Sequence, residues 1–118
     1  MTQLALTMSA QAITGADGTT SLVIGPATQN ETWSVKRITV SNNSTSNNQV
    51  TATAYRNYVG PTSIIGATYS GQQDADSDFG QDFQGSENLV VQWQNADVNS
   101  ICVVTISGTR TLKGVLIY

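Results

Sequence analysis

The chain has 118 residues, of which 13 carry a charge, and its formal net charge is −3 at pH 7. Nucleic-acid binding requires a basic surface, and five scattered lysine and arginine residues exclude it. The sequence contains no histidine and no apolar run of about 18 residues, which excludes His-dependent catalytic triads, the usual zinc sites and a membrane-spanning helix.

The composition favours strands over helices. Serine, threonine, asparagine and glutamine make up 47 of the 118 residues. Valine, isoleucine and threonine are abundant, whereas the strong helix formers lysine, glutamate, leucine and methionine are scarce. The length is typical of one domain, so residues 1–118 are expected to form a single all-β unit.

Alternation of apolar and polar residues predicts the strands in chain order. Residues 3–14 form a long half-buried strand, and a turn at residues 15–18 leads to a second strand over residues 19–25. Further strands are predicted from residue 30 or 31 to 40, and over residues 49–58, 62–70 and 111–118. Residues 71–85 form the longest irregular stretch, and residues 85–108 form a central hairpin. Seven or eight antiparallel strands indicate a β-sandwich or a jelly roll.

Two local features refine this prediction. The apolar residues of the third strand change parity at Lys36 and Arg37, which predicts a β-bulge. In the hairpin's second strand, from Val98 to Ile106, apolar residues occupy both parities, a pattern that allows burial on both faces. Cys102 in that strand is expected to be a buried hydrophobic residue, and being single it forms no internal disulfide.

The acidic run of Asp74, Asp76 and Asp78 is the candidate metal site. Carboxylates at the first, third and fifth positions are typical of calcium loops. The sixth residue, Phe79, and the twelfth, Gly85, depart from that pattern, so a solvated loop is favoured.

No catalytic residue and no cofactor is predicted, so the chain is not expected to be an enzyme. Asp82 and Glu87 could be nominated as the carboxylate pair of a glycosidase, but nothing else in the sequence supports that role.

Aromatic residues are the candidate binding residues. Trp33 and Trp93 alternate with apolar strand residues, which favours a place in the core over a sugar-stacking platform. Tyrosine and arginine are enriched at protein interfaces. The candidate interface residues are therefore Tyr55, Arg56, Tyr58, Tyr69 and Tyr118, with ordinary cross-strand pairing as the alternative.

Three segments carry a resemblance to a known class of protein. They are WSVKRITVSN at residues 33–42, AYR at residues 54–56 and GSENLVVQW at residues 85–93, followed by Val103, Val104 and Gly108. In order and spacing, residues 31–108 resemble small β-sandwich structural proteins of tailed bacteriophages that infect actinobacteria.

The resemblance implies a non-enzymatic virion protein, most simply a capsid decoration or head accessory protein. Its expected partners are the major capsid protein or other virion proteins and further copies of itself, with neither nucleic acid nor membrane. The expected location is the virion, after synthesis in the host cytoplasm. A tail protein and a carbohydrate-binding β-sandwich used in host recognition are the alternatives.

Overall fold

The computed structural model describes residues 2–25, 30–44, 50–70 and 75–112, and of residues 2, 66–70 and 75–79 it describes the backbone alone. These ranges form strands and no helix, which confirms the all-β prediction. The eight strands are β1 (Thr2–Ile13), β2 (Thr20–Ile24), β3 (Glu31–Asn42), β4 (Thr51–Arg56), β5 (Ile64–Ser70), β6 (Ala75–Phe83), β7 (Leu89–Gln94) and β8 (Ile101–Leu112). No described segment is a helix long and apolar enough to cross a lipid bilayer.

The strands form two antiparallel four-stranded sheets. One has the order β1-β8-β3-β6 and the other the order β2-β7-β4-β5. The chain changes sheet at every connection except the one between β4 and β5. Two interleaved four-stranded sheets of this order are a jelly roll, so the prediction of a sandwich or jelly roll is confirmed.

Three predictions of local structure were wrong. Residues 75–83 form β6, an edge strand whose sequence lacks the apolar alternation that marks strands. The two strands in residues 85–108 do not pair, because β7 and β8 lie in different sheets. Residues 98–100 precede β8, which continues to Leu112 as one strand, so the predicted break before residue 111 is absent. Residues 113–118 lie outside the described residues.

The core lies between the sheets. Apolar residues on alternate positions of β3, β7 and β8 face inward, and both tryptophans are almost completely buried there. Trp33 comes from the first sheet and Trp93 from the second, and Cys102 is buried as predicted. In β8 only one parity is fully buried, so the strand is not buried on both faces. The central core residues are Trp33, Val35, Ile38, Val40, Ala52, Ala54, Phe83, Leu89, Val91, Trp93, Val104 and Ile106.

The predicted bulge in β3 is present and determines how β3 meets β8. The register of β3 with both β6 and β8 shifts between Val35 and Arg37. Because of this shift Val35 and Ile38 are both buried. Gly108 pairs with Val35, and a Cβ added there would lie 2.0 Å from the carbonyl oxygen of Ser34. Close approach of the two backbones therefore requires glycine at this position.

We expect Gly108→Ala to destabilise the fold by about 3 kcal/mol or more, since the obstacle is backbone and cannot rotate away. Chemical denaturation monitored by tryptophan fluorescence measures this loss. Gly15→Ala is the matched control, because its added Cβ would meet atoms at no less than 3.9 Å. Equal stability of the two variants would contradict the assignment.

A buried polar cluster closes the end of the sandwich where β1 and β3 end and β8 begins. The Nδ2 of Asn42 donates to Ser100 Oγ at 3.0 Å and to Cys102 Sγ at 3.0 Å. Asn42 Oδ1 accepts from the backbone N–H of Ser44 at 2.9 Å and from the Ser44 hydroxyl. Thr14 Oγ1 lies 2.9 Å from Ser100 Oγ. These groups satisfy one another, which is what buried polar groups require.

Asn42→Ala is expected to cost about 2–4 kcal/mol, since it leaves several buried donors and acceptors unpaired. The neighbouring variant Asn43→Ala removes one exposed acceptor, the Oδ1 that binds the N–H of Ile101 at 2.7 Å, and is expected to cost less than about 1 kcal/mol. Urea unfolding midpoints of the two variants compare them directly. A smaller loss for Asn42→Ala than for Asn43→Ala would show that the cluster does not stabilise this end.

Candidate interaction surface

A row of apolar residues crosses the outer face of the sheet β2-β7-β4-β5. Val23 of β2 pairs with Val90 of β7, which pairs with Tyr55 of β4, which pairs with Ile64 of β5. We call these four residues the outer apolar row. Adjacent strands lie about 4.8 Å apart, so the row extends roughly 14 Å across the sheet. Each strand of this sheet contributes one side chain to the row.

The middle of the outer apolar row is buried and its ends are exposed. Val90 is only 4% exposed, yet it does not belong to the core cluster between the sheets. Its burial therefore comes from the outer side, where Val23 and Tyr55 flank it in register. Val23 is 62% exposed and Ile64 is 51% exposed. The row thus offers a packed centre with accessible apolar ends.

The loop between β4 and β5 extends this surface at one end of the sheet. It exposes Val59 and also Tyr58, whose hydroxyl lies 2.9 Å from the Thr62 hydroxyl. Hydrogen bonds hold the loop in place: the Arg56 N–H donates to the Ser63 carbonyl at 2.8 Å, and the Asn57 N–H donates to the Asn88 carbonyl at 2.8 Å. The exposed tyrosine is therefore presented by an ordered loop.

The rest of this face is polar and uncharged. Next to the row, Gln92 Nε2 donates to Ser21 Oγ at 3.4 Å. Outward positions of β2, β4 and β7 in the described ranges carry serine, threonine, glutamine and the apolar row, and no charge. A partner that covers this face has no charge to desolvate, which lowers the cost of burying it.

The Arg56 side chain makes several contacts within the chain. Its guanidinium donates to the Asp82 carbonyl oxygen at 2.9 Å, to Glu87 Oε1 at 3.1 Å and to Gln81 Oε1 at 3.2 Å. It also lies 4.5 Å from the centroid of the Phe83 ring. Arg56 thereby joins β4 of one sheet to β6 of the other.

The five predicted interface residues fall into three groups. Tyr55 and Tyr58 lie on the surface just described. Arg56 follows Tyr55 but turns to the other side of β4. Tyr69 pairs in register with Ala52, and its side chain lies outside the described part of the structure, as does all of Tyr118.

Sequence reasoning missed Val23, Val90 and Ile64. Three consecutive apolar residues in β2 and three in β7 were the available signal, because consecutive strand residues point to opposite faces. At least one apolar residue of each run had to face outward.

The remaining candidate residues lie elsewhere. Trp33 and Trp93 are buried in the core, so neither is a sugar-stacking platform. Asp74 lies outside the described residues, and Asp76 and Asp78 lie in β6 opposite Thr39 and Arg37, where the predicted loop was wrong. In the described ranges no three acidic or cysteine side chains come close enough to hold a metal ion.

Glu87, nominated with Asp82 as a carboxylate pair, receives a hydrogen bond from Arg56 and another at 2.8 Å from the N–H of Gln84. These contacts anchor the turn that precedes β7.

No protein-family model matches the sequence, and no curated protein matches it. Among solved structures, two of turnip yellow mosaic virus contain similar chains. The first, determined at 100 K, is 13% identical with a TM-score of 0.46, covering 99% of this chain and 96% of the other. The second is also 13% identical, with a TM-score of 0.43 and coverage of 99% and 98%. Function must therefore be argued from this chain's own surface.

The contacts of Arg56 predict that Arg56→Lys lowers the free energy of unfolding by about 1–2 kcal/mol. Lysine keeps the charge but loses the planar fork that reaches three acceptors at once. Arg110→Lys is the matched control, since the contact described for Arg110 is a single one to Glu31 at 3.2 Å, and a loss below about 1 kcal/mol is expected. Thermal unfolding followed by circular dichroism tests both variants. If Arg56→Lys unfolds with the same free energy as the wild type, the contacts of Arg56 do not stabilise the fold, and Arg56 is again a candidate interface residue.

Proposed function

We propose that this protein is a non-enzymatic structural component of a virus particle that docks by surface contact on a repeating protein lattice. The observation that carries the proposal is the outer apolar row together with Tyr58. It is an ordered, uncharged, partly apolar surface on the outside of a jelly roll. Interfaces concentrate their binding energy in a few residues near a well-packed centre, and tyrosine is enriched among them.

The fold is compatible with this role without requiring it. Jelly rolls occur in viral capsid domains, lectins and cupins, and function depends on the site that each carries. In this chain both tryptophans are buried in the core, so the carbohydrate-binding alternative would depend on an exposed tyrosine such as Tyr58. The hydroxyls and thiol of Thr14, Ser100 and Cys102 are hydrogen-bonded to one another or to Asn42 inside the fold. What remains for binding is the outer surface.

The finer proposal is a capsid decoration or head accessory protein of a tailed bacteriophage. It rests on the resemblance of residues 31–108 to such proteins. The proposed partners are the major capsid protein and further copies of this chain, and the proposed location is the virion after synthesis in the host cytoplasm. A structural protein of the phage tail is the alternative to this position on the head.

The proposal is tested on purified particles of the virus that encodes the chain. Mass spectrometry should find the chain in intact particles at a fixed ratio to the major capsid protein, as a lattice requires. Electron microscopy then places it on the head or on the tail. Absence from particles ends the virion proposal, and specific binding to a glycan array would instead support the carbohydrate-binding alternative.

Docking through the outer apolar row predicts that Val23→Thr combined with Ile64→Thr weakens binding to particles lacking the chain by about tenfold or more. Both residues are exposed and threonine is favoured in strands, so the fold should remain intact. Cosedimentation of the protein with particles measures the loss. Ser21→Thr, at an exposed position on the same face of β2, is the control and should bind like the wild type. Unchanged binding by the double variant would remove this face from the proposed interface.

A further inference from the structure

In the described part of the chain the two open sheets have four edge strands, which are β1, β6, β2 and β5. An edge strand leaves a row of backbone N–H and C=O groups without strand partners. Proteins protect such edges with short strands, bulges, charges or proline, since an unprotected edge pairs with another chain.

Three of the four edges carry such protection. β2 is only five residues long. β5 changes register with β4 between Thr53 and Tyr55. β6 contains three aspartates, and Gly80 within it has φ of 64°, which departs from extended backbone.

β1 has none of these protections. It runs for twelve residues from Thr2 to Ile13, TQLALTMSAQAI, without a charge, a proline or a glycine. It pairs with β8 over its whole length without a break in register, so its free edge is continuous.

The inner side of β1 is also only partly covered. Leu4 and Met8 have the same parity as buried Leu6, yet they are 39% and 42% exposed. The facing edge strand β2 is less than half as long as β1 and leaves them accessible. Accessible apolar side chains thus occur on the strand whose outer backbone edge has no strand partner among the described residues.

We propose that β1 pairs antiparallel with β1 of a second copy about a two-fold axis that passes through Leu6, so that two first sheets join into one continuous eight-stranded sheet. This register places Leu4 opposite Met8 of the second copy and Leu6 opposite Leu6. On the other face it places Ala5 opposite Thr7. All residues keep their face, because the paired positions have equal parity.

A second copy fits this edge because the strand is self-complementary. Antiparallel pairing is what a two-fold axis generates from one strand. Without charges in β1, no like charges meet in the pairing. The inference does not depend on the virion role, since it concerns association of the free protein.

The test uses three double variants at exposed positions on the outer face of β1. Ala5→Lys with Thr7→Lys places lysine opposite lysine twice, and the dimer should dissociate about tenfold more readily. Ala5→Lys with Thr7→Glu places lysine opposite glutamate twice and should dimerise at least as well as the wild type. Gln11→Lys with Ile13→Lys adds the same charge as the first variant outside the paired residues 2–10, and is expected to leave the dimer unchanged.

Sedimentation velocity over a concentration series measures the three dimers against the wild type. The proposal is overturned if the wild-type chain stays monomeric at every concentration. It is also overturned if the variant with lysine at residues 5 and 7 dimerises like the wild type. The same holds if the lysine–glutamate variant dissociates as readily as the double-lysine variant. Hydrogen exchange on the wild type is an independent measurement. Amides of residues 2–10 should exchange more slowly as concentration rises, and concentration-independent exchange there also overturns the proposal.

Discussion

The structure depends on backbone pairing along β8. This strand is hydrogen-bonded to β1 on one side and to β3 on the other, over nearly all of its twelve residues. Such long pairing requires β3 to stay paired with β8 on both sides of its bulge. At the bulge the Ser34 carbonyl lies close to Gly108, and only a residue without a side chain leaves room for it. The three long strands then form a stiff surface on which the shorter sheet packs, with Trp33 and Trp93 contributed from opposite sides.

Two sets of contacts close the ends of this sandwich. At one end Asn42 and its neighbours join the connections that follow β1, β3 and β7 in a buried hydrogen-bonded cluster. At the other end Arg56 joins the end of β4 to the end of β6 and to the turn before β7. Both sets use polar groups on partners inside the chain. Glu87, which the sequence offered as a catalytic carboxylate, and Arg56, which it offered as an interface residue, are therefore used in contacts within the chain.

The sequence was sufficient for the fold class because alternation is strong in β1, β3 and β7, and the parity change at Lys36 and Arg37 located the bulge. It was insufficient for β6, where a run of polar and acidic residues forms a strand because it pairs with β3. The sequence also did not predict which strands pair. β7 and β8 follow each other in the sequence but belong to different sheets, and this assignment depends on three-dimensional packing. For the same reason Tyr55 could be proposed individually, whereas its alignment with Val23, Val90 and Ile64 required the register of four strands.

The two proposed contact surfaces lie on different sheets, and this separation matters for assembly. The β1 edge belongs to the first sheet, and the outer apolar row lies on the outer face of the second. Pairing through β1 therefore leaves the row of each copy exposed. A β1-paired dimer would present two rows to a lattice at once, and bivalent attachment strengthens binding by about 10²- to 10⁴-fold over one weak contact when the spacing matches. Under the two proposals together, a small, weakly charged protein with a modest docking surface gains affinity from attaching twice.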